Sequence, residues 1–327
     1  MRAVVYVGAG GPEVITVGEV PRPEVQPGHI RVRVRAAGVN RADLLQRRGN
    51  YPAPPGWPAD IPGLEYAGEV EAVRGVQRWK VGDRVMGLVG GGAMAELLTV
   101  HQDEALPIPD SLGYEAAAAV PEAFLTAYDA LVTRGRVAPG ERVLVHAVGS
   151  GVGTAAAQIA KHLGATVLGT SRSAGKLARA AVYGLDVGID TSRGAFADQV
   201  GDPVNVVLDV IGGPALGDNL RILAPRGRLV LLGFLAGSTA SVDLSPILRK
   251  RLEVIGTVMR TRSLEERRPL VREFAERMLP LFDQRVDHAA PLRPVLERTL
   301  SMAELADAHR LLEANETFGK VVVRWED

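Results

Sequence analysis

The order of apolar and polar residues changes character about a third of the way along the chain. Along Ile30-Arg31-Val32-Arg33-Val34-Arg35 the branched side chains recur at every second position, which puts them on one face of a strand and three arginines on the other. This pattern predicts a half-exposed, antiparallel-type strand. Similar short runs follow at 66–73, 83–89 and 96–100, separated by glycine-rich punctuation such as Gly90-Gly91-Gly92. Between them, five prolines within 52–62 forbid regular structure and stiffen a loop of the kind that walls a pocket.

From about Pro121 the rhythm becomes strand, helix, strand, helix. Candidate strands at 142–148, 166–171, 187–190, 204–210, 228–233 and 253–258 are continuous β-branched runs suited to burial on both faces, with helices such as 154–163 and 174–183 between them. Six strands in this rhythm predict a doubly wound sheet. Beyond 263 come an amphipathic helix reaching 282, mixed sequence, a second helix over 302–313 and a last strand, 320–325. The parallel sheet is already complete, so this tail is expected to rejoin the first domain, where its single strand finds a partner.

Composition narrows the function. A chain of 327 residues suits two domains. Its 38 basic and 38 acidic residues cancel, so no global field recruits nucleic acid or an anionic membrane, and the expected partner is a small molecule. The absence of cysteine excludes disulfides, thiol nucleophiles, iron–sulfur clusters and thiolate zinc sites, and the six histidines show no metal spacing, so no metal is expected. The apolar runs fall short of the roughly 18 residues of a membrane span, and the alternating start reads as strand rather than signal peptide, which points to the cytoplasm.

The most informative stretch is Val143-Leu144-Val145-His146-Ala147-Val148-Gly149-Ser150-Gly151-Val152-Gly153-Thr154. A buried strand runs into a glycine-rich turn that opens a helix, which leaves unpaired N–H groups and the positive helix end where a pyrophosphate can sit. The strict G-x-G-x-x-G fingerprint is not matched. Aligned on Gly153, the pattern reads Ala147-x-x-Ser150-x-x-Gly153, with Gly153 allowing close helix-to-strand packing and Ser150 offering a hydroxyl; Gly151 and Val152 open the helix. A tight turn without ligand is the bland alternative. About 20 residues on, where an NAD enzyme places an acid against the ribose 2′-hydroxyl, the next strand ends in Ser171-Arg172-Ser173-Ala174-Gly175-Lys176. No carboxylate is present. Ser171, Arg172 and Lys176 form the donor set that receives a 2′-phosphate, so NADPH is the expected cofactor, the alternative being a solvated loop with two surface cations.

Several further motifs occur in a familiar order: Gly38-Val39-Asn40-Arg41-Ala42-Asp43, Gly63-Leu64-Glu65-Tyr66-Ala67-Gly68, Gly82-Asp83-Arg84-Val85, Pro121-Glu122-Ala123-Phe124-Leu125-Thr126-Ala127, Asp209-Val210-Ile211-Gly212-Gly213 and Gly319-Lys320-Val321-Val322. With the turn above, they resemble the medium-chain dehydrogenase/reductase superfamily. Within it the chain is similar to the zinc-free, zeta-crystallin-like quinone oxidoreductases, above all the tumour-suppressor-induced quinone oxidoreductase subgroup. The resemblance implies a Rossmann doubly wound parallel sheet (121–262) inserted in a mainly-β GroES-like catalytic domain (1–120 plus 263–327), with an active cleft between them. It also implies zinc independence, because zinc-dependent relatives carry a cysteine where this chain has Asn40 and a histidine where it has Leu64, and Glu65 alone cannot hold a catalytic zinc. The activity implied is NADPH:quinone reduction by a homodimer paired through 253–258.

By the same resemblance Asn40, Tyr51 and Thr126 meet the reacting end of the cofactor, with Val210, the Gly233-Phe234 turn and Lys320 as further cofactor contacts. Each of the first three has an ordinary alternative: Asn40 as a helix cap, Thr126 bonding its own backbone, Tyr51 packing on prolines. Where some family members have tyrosines, this chain has Thr191 near the 2′-phosphate and Leu45 in the cleft. Reduction of enones or enoyl thioesters, and non-catalytic NADPH binding, remain alternative functions.

Overall fold

The computed structural model describes residues 1–283 and 291–326. Two compact units emerge, one from Met1–Leu125 and the return of the chain after Met259, the other from Thr126–Val258.

The first unit opens with an antiparallel pair, β1 (Arg2–Tyr6) and β2 (Ile15–Glu19), followed by β3 (His29–Val39), α1 (Arg41–Arg47), β4 (Glu65–Arg74), β5 (Arg84–Leu88), β6 (Leu97–His101) and β7 (Ala105–Pro107). Along the first half of β3 the alternation holds: Ile30, Val32 and Val34 are buried, while Arg31 and Arg33 reach the carboxylate of Glu71, each at 2.6 Å. In the second half it stops. Ala36, Ala37, Gly38 and Val39 are all buried, because the short helix α2 (Tyr114–Ala117) packs on β3 and β4 there. A side chain at Gly38 would put its Cβ 2.1 Å from Glu65 Oε1. The glycine is what leaves room for a buried carboxylate. β4 runs along one edge of β3, and the other edge is shared, His29–Arg33 pairing with β6 and Ala36–Val39 with a strand from the tail. α3 (Pro121–Tyr128) follows.

The second unit contains β8 (Arg142–Val145), α4 (Gly151–His162), β9 (Thr166–Ser171), α5 (Ala174–Ala181), β10 (Val187–Asp190), β11 (Val204–Asp209), α6 (Gly213–Ile222), β12 (Leu223–Leu231), α7 (Ser245–Lys250) and β13 (Glu253–Gly256). Its six strands are all parallel in the order β10-β9-β8-β11-β12-β13. Numbered from β8 as one to six, this is the 3-2-1-4-5-6 order of a doubly wound dinucleotide fold, and β8 and β11 flank the point where the winding reverses. Leu144, Leu168, Val207 and Leu229 are buried at its core, as the apolar runs require.

The tail departs from expectation in detail. The helix expected to reach 282 is α8 (Leu264–Arg277), and a 3₁₀ turn, Leu279–Phe282, continues it because Pro280 cannot donate the next helical bond. Of the mixed sequence that follows, 284–290 lie outside the described residues. It then holds a strand that the apolar pattern did not reveal, β14 (Leu296–Ser301), which is mostly exposed and so has no hydrophobic run. The helix read over 302–313 is a 3₁₀ turn followed by α9 (Leu305–Ala314), which ends where Asn315 turns left-handed at φ 57°. The last strand, β15 (Lys320–Arg324), lies parallel to β14 and antiparallel to β3, with Val321 opposite Val39. The tail thus brings two strands to the first sheet, not one.

Candidate functional site

In the second unit, β8 ends in a turn that starts with Ala147 in the left-handed region at φ 49°. Ser150 caps α4, its Oγ accepting from the Gly153 N–H at 3.0 Å, so the helix begins three residues earlier than the apolar pattern indicates. A Cβ on Gly153 would stand 2.4 Å from the Ala147 carbonyl oxygen. Glycine alone fits there. The first turn of α4, with Gly151 and Val152, presents N–H groups that the helix itself cannot satisfy.

Behind this turn runs a buried hydrogen-bond chain whose direction is set by its ends. Asp209 accepts from Asn219 Nδ2 at 3.0 Å, which turns the Asn219 carbonyl oxygen toward His146 Nε2 at 2.8 Å and makes that nitrogen the protonated one. His146 Nδ1 then accepts from Thr170 Oγ1 at 3.0 Å, and Thr170 Oγ1 in turn accepts from the Ala147 N–H at 3.3 Å. Burial lowers the His146 pKa, which keeps the ring neutral, as the chain requires. The other Asp209 oxygen holds the N–H groups of Ile211 and Gly212 at 2.6 and 3.1 Å. One chain therefore ties the β8–α4 turn, the end of β9 and the β11–α6 turn together.

The residues expected to hold a nucleotide fall around this frame. Ser171 closes β9 and accepts from the Ser173 N–H at 3.1 Å. Arg172 is exposed and no side chain among the described residues pairs with it, while Lys176 stands in the first turn of α5. Thr191 sits beside them, its N–H on the Ser171 carbonyl at 2.9 Å. Val210 follows β11 and Gly233-Phe234 follow β12; the Leu235 N–H binds the Val210 carbonyl at 2.9 Å, and the Phe234 ring is 55% exposed. All of these lie at the carboxyl ends of parallel strands, where doubly wound sheets take their ligands. The side-chain-free cradle at Gly153, the open helix start and the cations after β9 fit a pyridine dinucleotide.

The first unit gathers a second set. Lys320, on β15 and buried, spends its three N–H donors on the Val39 carbonyl at 3.1 Å, Asn40 Oδ1 at 2.5 Å and Glu65 Oε1 at 2.6 Å. Asn40 occupies the N-cap of α1, but the Asp43 N–H goes to its backbone carbonyl at 3.0 Å, while its side-chain Nδ2 donates to Glu65 Oε1 at 2.9 Å; Asp43 Oδ2 accepts from the Asn40 backbone N–H at 2.7 Å. Glu65 is fully buried, and its second oxygen accepts from the Glu122 backbone N–H at 2.8 Å. Arg260, also buried, donates to the Gly90 and Tyr51 carbonyls at 3.0 and 2.8 Å and to Gln46 Oε1 at 2.7 Å, and lies 4.7 Å from the centre of the Tyr51 ring. Burial raises the Tyr51 pKa, so its phenol stays a donor. Where the second unit begins on α3, Thr126 Oγ1 is buried with no hydrogen-bond partner among the described residues, so it does not bond its own backbone. Leu45 is 38% exposed.

Asn40, Tyr51 and Lys320 are thus brought into one polar cluster, and Glu65, Asp43, Glu122 and Arg260 join it without having been singled out as site residues. The signal for three of the four was present, since acids inside otherwise apolar motifs carry a burial cost that must be met. Arg260 had no local signal. Among the described residues no three His, Cys, Asp or Glu are grouped to hold a metal, and the cation against Glu65 is the ammonium of Lys320.

Comparison with known proteins agrees with this architecture. Residues 26–110 match the alcohol dehydrogenase GroES-like domain model and 151–277 the zinc-binding dehydrogenase model. The chain is 34% identical over 329 residues to a quinone oxidoreductase of Pseudomonas aeruginosa, covering 98% of this chain and 99% of that one. Among solved structures it resembles Escherichia coli quinone oxidoreductase complexed with NADPH (TM-score 0.85, 29% identity, 99% of this chain and 100% of that one) and the CurK enoyl reductase (TM-score 0.85, 26% identity, 99% of each).

Proposed function

Given that this chain belongs to the quinone oxidoreductase family of the medium-chain dehydrogenase/reductase superfamily, we propose that it reduces quinones with NADPH and without zinc. The observation that carries the reading is the closed Lys320–Asn40–Glu65 network. A carboxylate neutralised by the protein's own ammonium leaves no metal to stabilise an alkoxide, and that favours acceptors whose reduced form is a delocalised oxyanion over simple ketones.

NADPH supplies, when bound, a hydride from its reduced nicotinamide. The chain's own residues do the rest. Ser150, Gly151, Val152 and Gly153 would take the pyrophosphate on the first turn of α4. Ser171, Arg172 and Lys176 would take the 2′-phosphate, and the lack of an acid after β9 supports NADPH over NADH. Val210 and the Gly233-Phe234 turn would flank the nucleotide beyond β11 and β12. Lys320, its donors fully used, would act by fixing Asn40 rather than by touching the cofactor. Tyr51, its ring backed by the Arg260 guanidinium, would donate its phenolic hydrogen to an acceptor carbonyl. Thr126 Oγ1, buried and without a hydrogen-bond partner among the described residues, is a donor in want of an acceptor.

The likeness to an enoyl reductase supports a second reading, reduction of α,β-unsaturated carbonyls. Loss of reduced-nicotinamide absorbance with NADPH and NADH, against an ortho-quinone, a para-quinone and an enone, separates the two. Quinone turnover with NADPH and much less with NADH is the expected result; turnover of the enone alone would move the chain to the alkene reductases. We further propose a homodimer paired through β13, an edge strand whose Val254 is 42% exposed.

A further inference from the structure

Three carboxyl groups and two cations share the polar cluster of the first unit: Asp43 on α1, Glu65 on β4 and Glu122 on α3, against Lys320 on β15 and Arg260. With every acid ionised the cluster would carry one uncompensated negative charge in a poorly solvated place, so one acid should hold a proton. Hydrogen-bond donors identify which. Glu65 accepts at both oxygens, from Lys320 and Asn40 at one and from the Glu122 N–H at the other. Asp43 accepts at both, from the N–H groups of Asn40 at 2.7 Å and Gly63 at 3.3 Å. These are the patterns of acceptors, hence of carboxylates. No donor among the described residues reaches the Glu122 carboxyl, and the residue as a whole keeps some exposure to solvent.

We propose that Glu122 is the proton donor that quenches the oxyanion formed when hydride is added to the acceptor. This assignment rests on the reduction chemistry proposed above. In the step, the acceptor gains a hydride and its two electrons; the O–H bond of Glu122 breaks, a new O–H bond forms on the acceptor oxygen, and the Glu122 carboxylate recovers its proton from water. Burial first, and the charge of Glu65 second, push the Glu122 pKa up to about 7, with Lys320 and Arg260 opposing and Asp43 adding to the rise. That places it near the value at which a general acid works at neutral pH. Thr126, one helical turn on, shares its face of α3.

The test compares wild type with Glu122→Gln and Glu122→Asp. In ligand-free protein, the infrared stretch of a protonated carboxyl should disappear between pH 5 and 9 in wild type, and the part of that change assigned to Glu122 should be missing in Glu122→Gln. With a quinone, wild-type kcat should fall on the alkaline side, whereas Glu122→Gln should be about 100-fold slower and lose that limb. Its NADPH Kd, read by fluorescence titration, should stay within about twofold, and Glu122→Asp should restore part of the rate and the limb. Wild-type quinone turnover with an unchanged rate and pH profile in Glu122→Gln would overturn the donor assignment alone, as would an infrared change between pH 5 and 9 that is the same in wild type and Glu122→Gln, since burial also raises the Asp43 pKa, to about 6, and its part of the change stays in both. Absence of wild-type turnover with any acceptor would overturn the reduction reading, and the donor with it.

Discussion

Replacing Lys320 with methionine, which keeps most of the stem and removes the charge, tests the centre of the first unit directly. The ammonium lies 2.6 Å from Glu65 Oε1, with 6% of the lysine and none of the glutamate side chain exposed. At that separation, and with an effective dielectric constant of about 20, the attraction is about 6 kcal/mol. Its loss is partly offset, because the Asn40 side chain and the Glu122 N–H still donate to Glu65. An orphaned buried carboxylate costs about 3–5 kcal/mol, and that is the expected destabilisation. Trp57, Trp79 and Trp325 all belong to the first unit, so tryptophan fluorescence during guanidinium unfolding reports that unit. Adding Glu65→Gln removes the stranded charge, and the double variant should recover about 2 kcal/mol relative to Lys320→Met alone. A loss below about 1 kcal/mol, with additive effects in the double variant, would show that the ammonium does not hold the carboxylate and would remove the network from the zinc-free reading.

Arg172→Ala should weaken NADPH binding by about 1.5–3 kcal/mol, the scale of a charged hydrogen bond, and leave NADH nearly unchanged; calorimetric titration with both nucleotides decides, and equal losses would take Arg172 off the phosphate. Gly153→Ala drives a methyl group to within 2.4 Å of the Ala147 carbonyl oxygen, so binding of both nucleotides should fall together by more than tenfold in the same titration. The raised Glu122 pKa also has a stability signature. Its folded-state value of about 7 exceeds the ordinary 4.5, so the folded protein binds the proton more tightly, and the associated stability is present below about pH 4.5 and lost as pH rises through 7. Wild type should therefore lose about 3 kcal/mol relative to Glu122→Gln between pH 4.5 and 8, measured by the same fluorescence assay. Val254→Lys should yield a monomer by light scattering if β13 is the dimer edge, and an unchanged mass would discard that edge.

The parallel sheet was legible because burial on both faces forces long β-branched runs, and the turn at Gly153 because a close approach of backbones leaves no alternative to glycine. β14 escaped for the opposite reason: Leu296–Ser301 lies on an edge, mostly in water, where hydrophobic patterning imposes nothing. The motifs pointed to Asn40, Tyr51 and Lys320, but not to what these residues do with one another, because the partners come from distant segments. Lys320 meets Asn40 across 280 residues, and Arg260 meets Gln46 across 214. No local periodicity encodes such pairings. Nor could the sequence choose between capping and chemistry at Asn40, since both need a short polar side chain at a helix start. The deciding fact is that the Asp43 N–H, which a capping side chain would accept, goes to the Asn40 backbone carbonyl and leaves the Asn40 amide for Glu65 and Lys320.

The edge of β3 that β6 leaves uncovered is closed by β15, and this imposes an order on events at the ribosome. The second unit consists largely of contiguous chain, so it can fold while synthesis continues. The first unit has no such freedom: the second edge of Ala36 to Val39 waits for its strand partner, and Glu65 for its ammonium, until the polypeptide has grown past residue 324. During that interval a hydrophobic strand edge and an unneutralised acid face the solvent or a chaperone. A nascent chain stalled before β15 would carry an intact nucleotide fold and an unassembled polar cluster, so chemistry at that cluster is available only to molecules whose translation has passed β15.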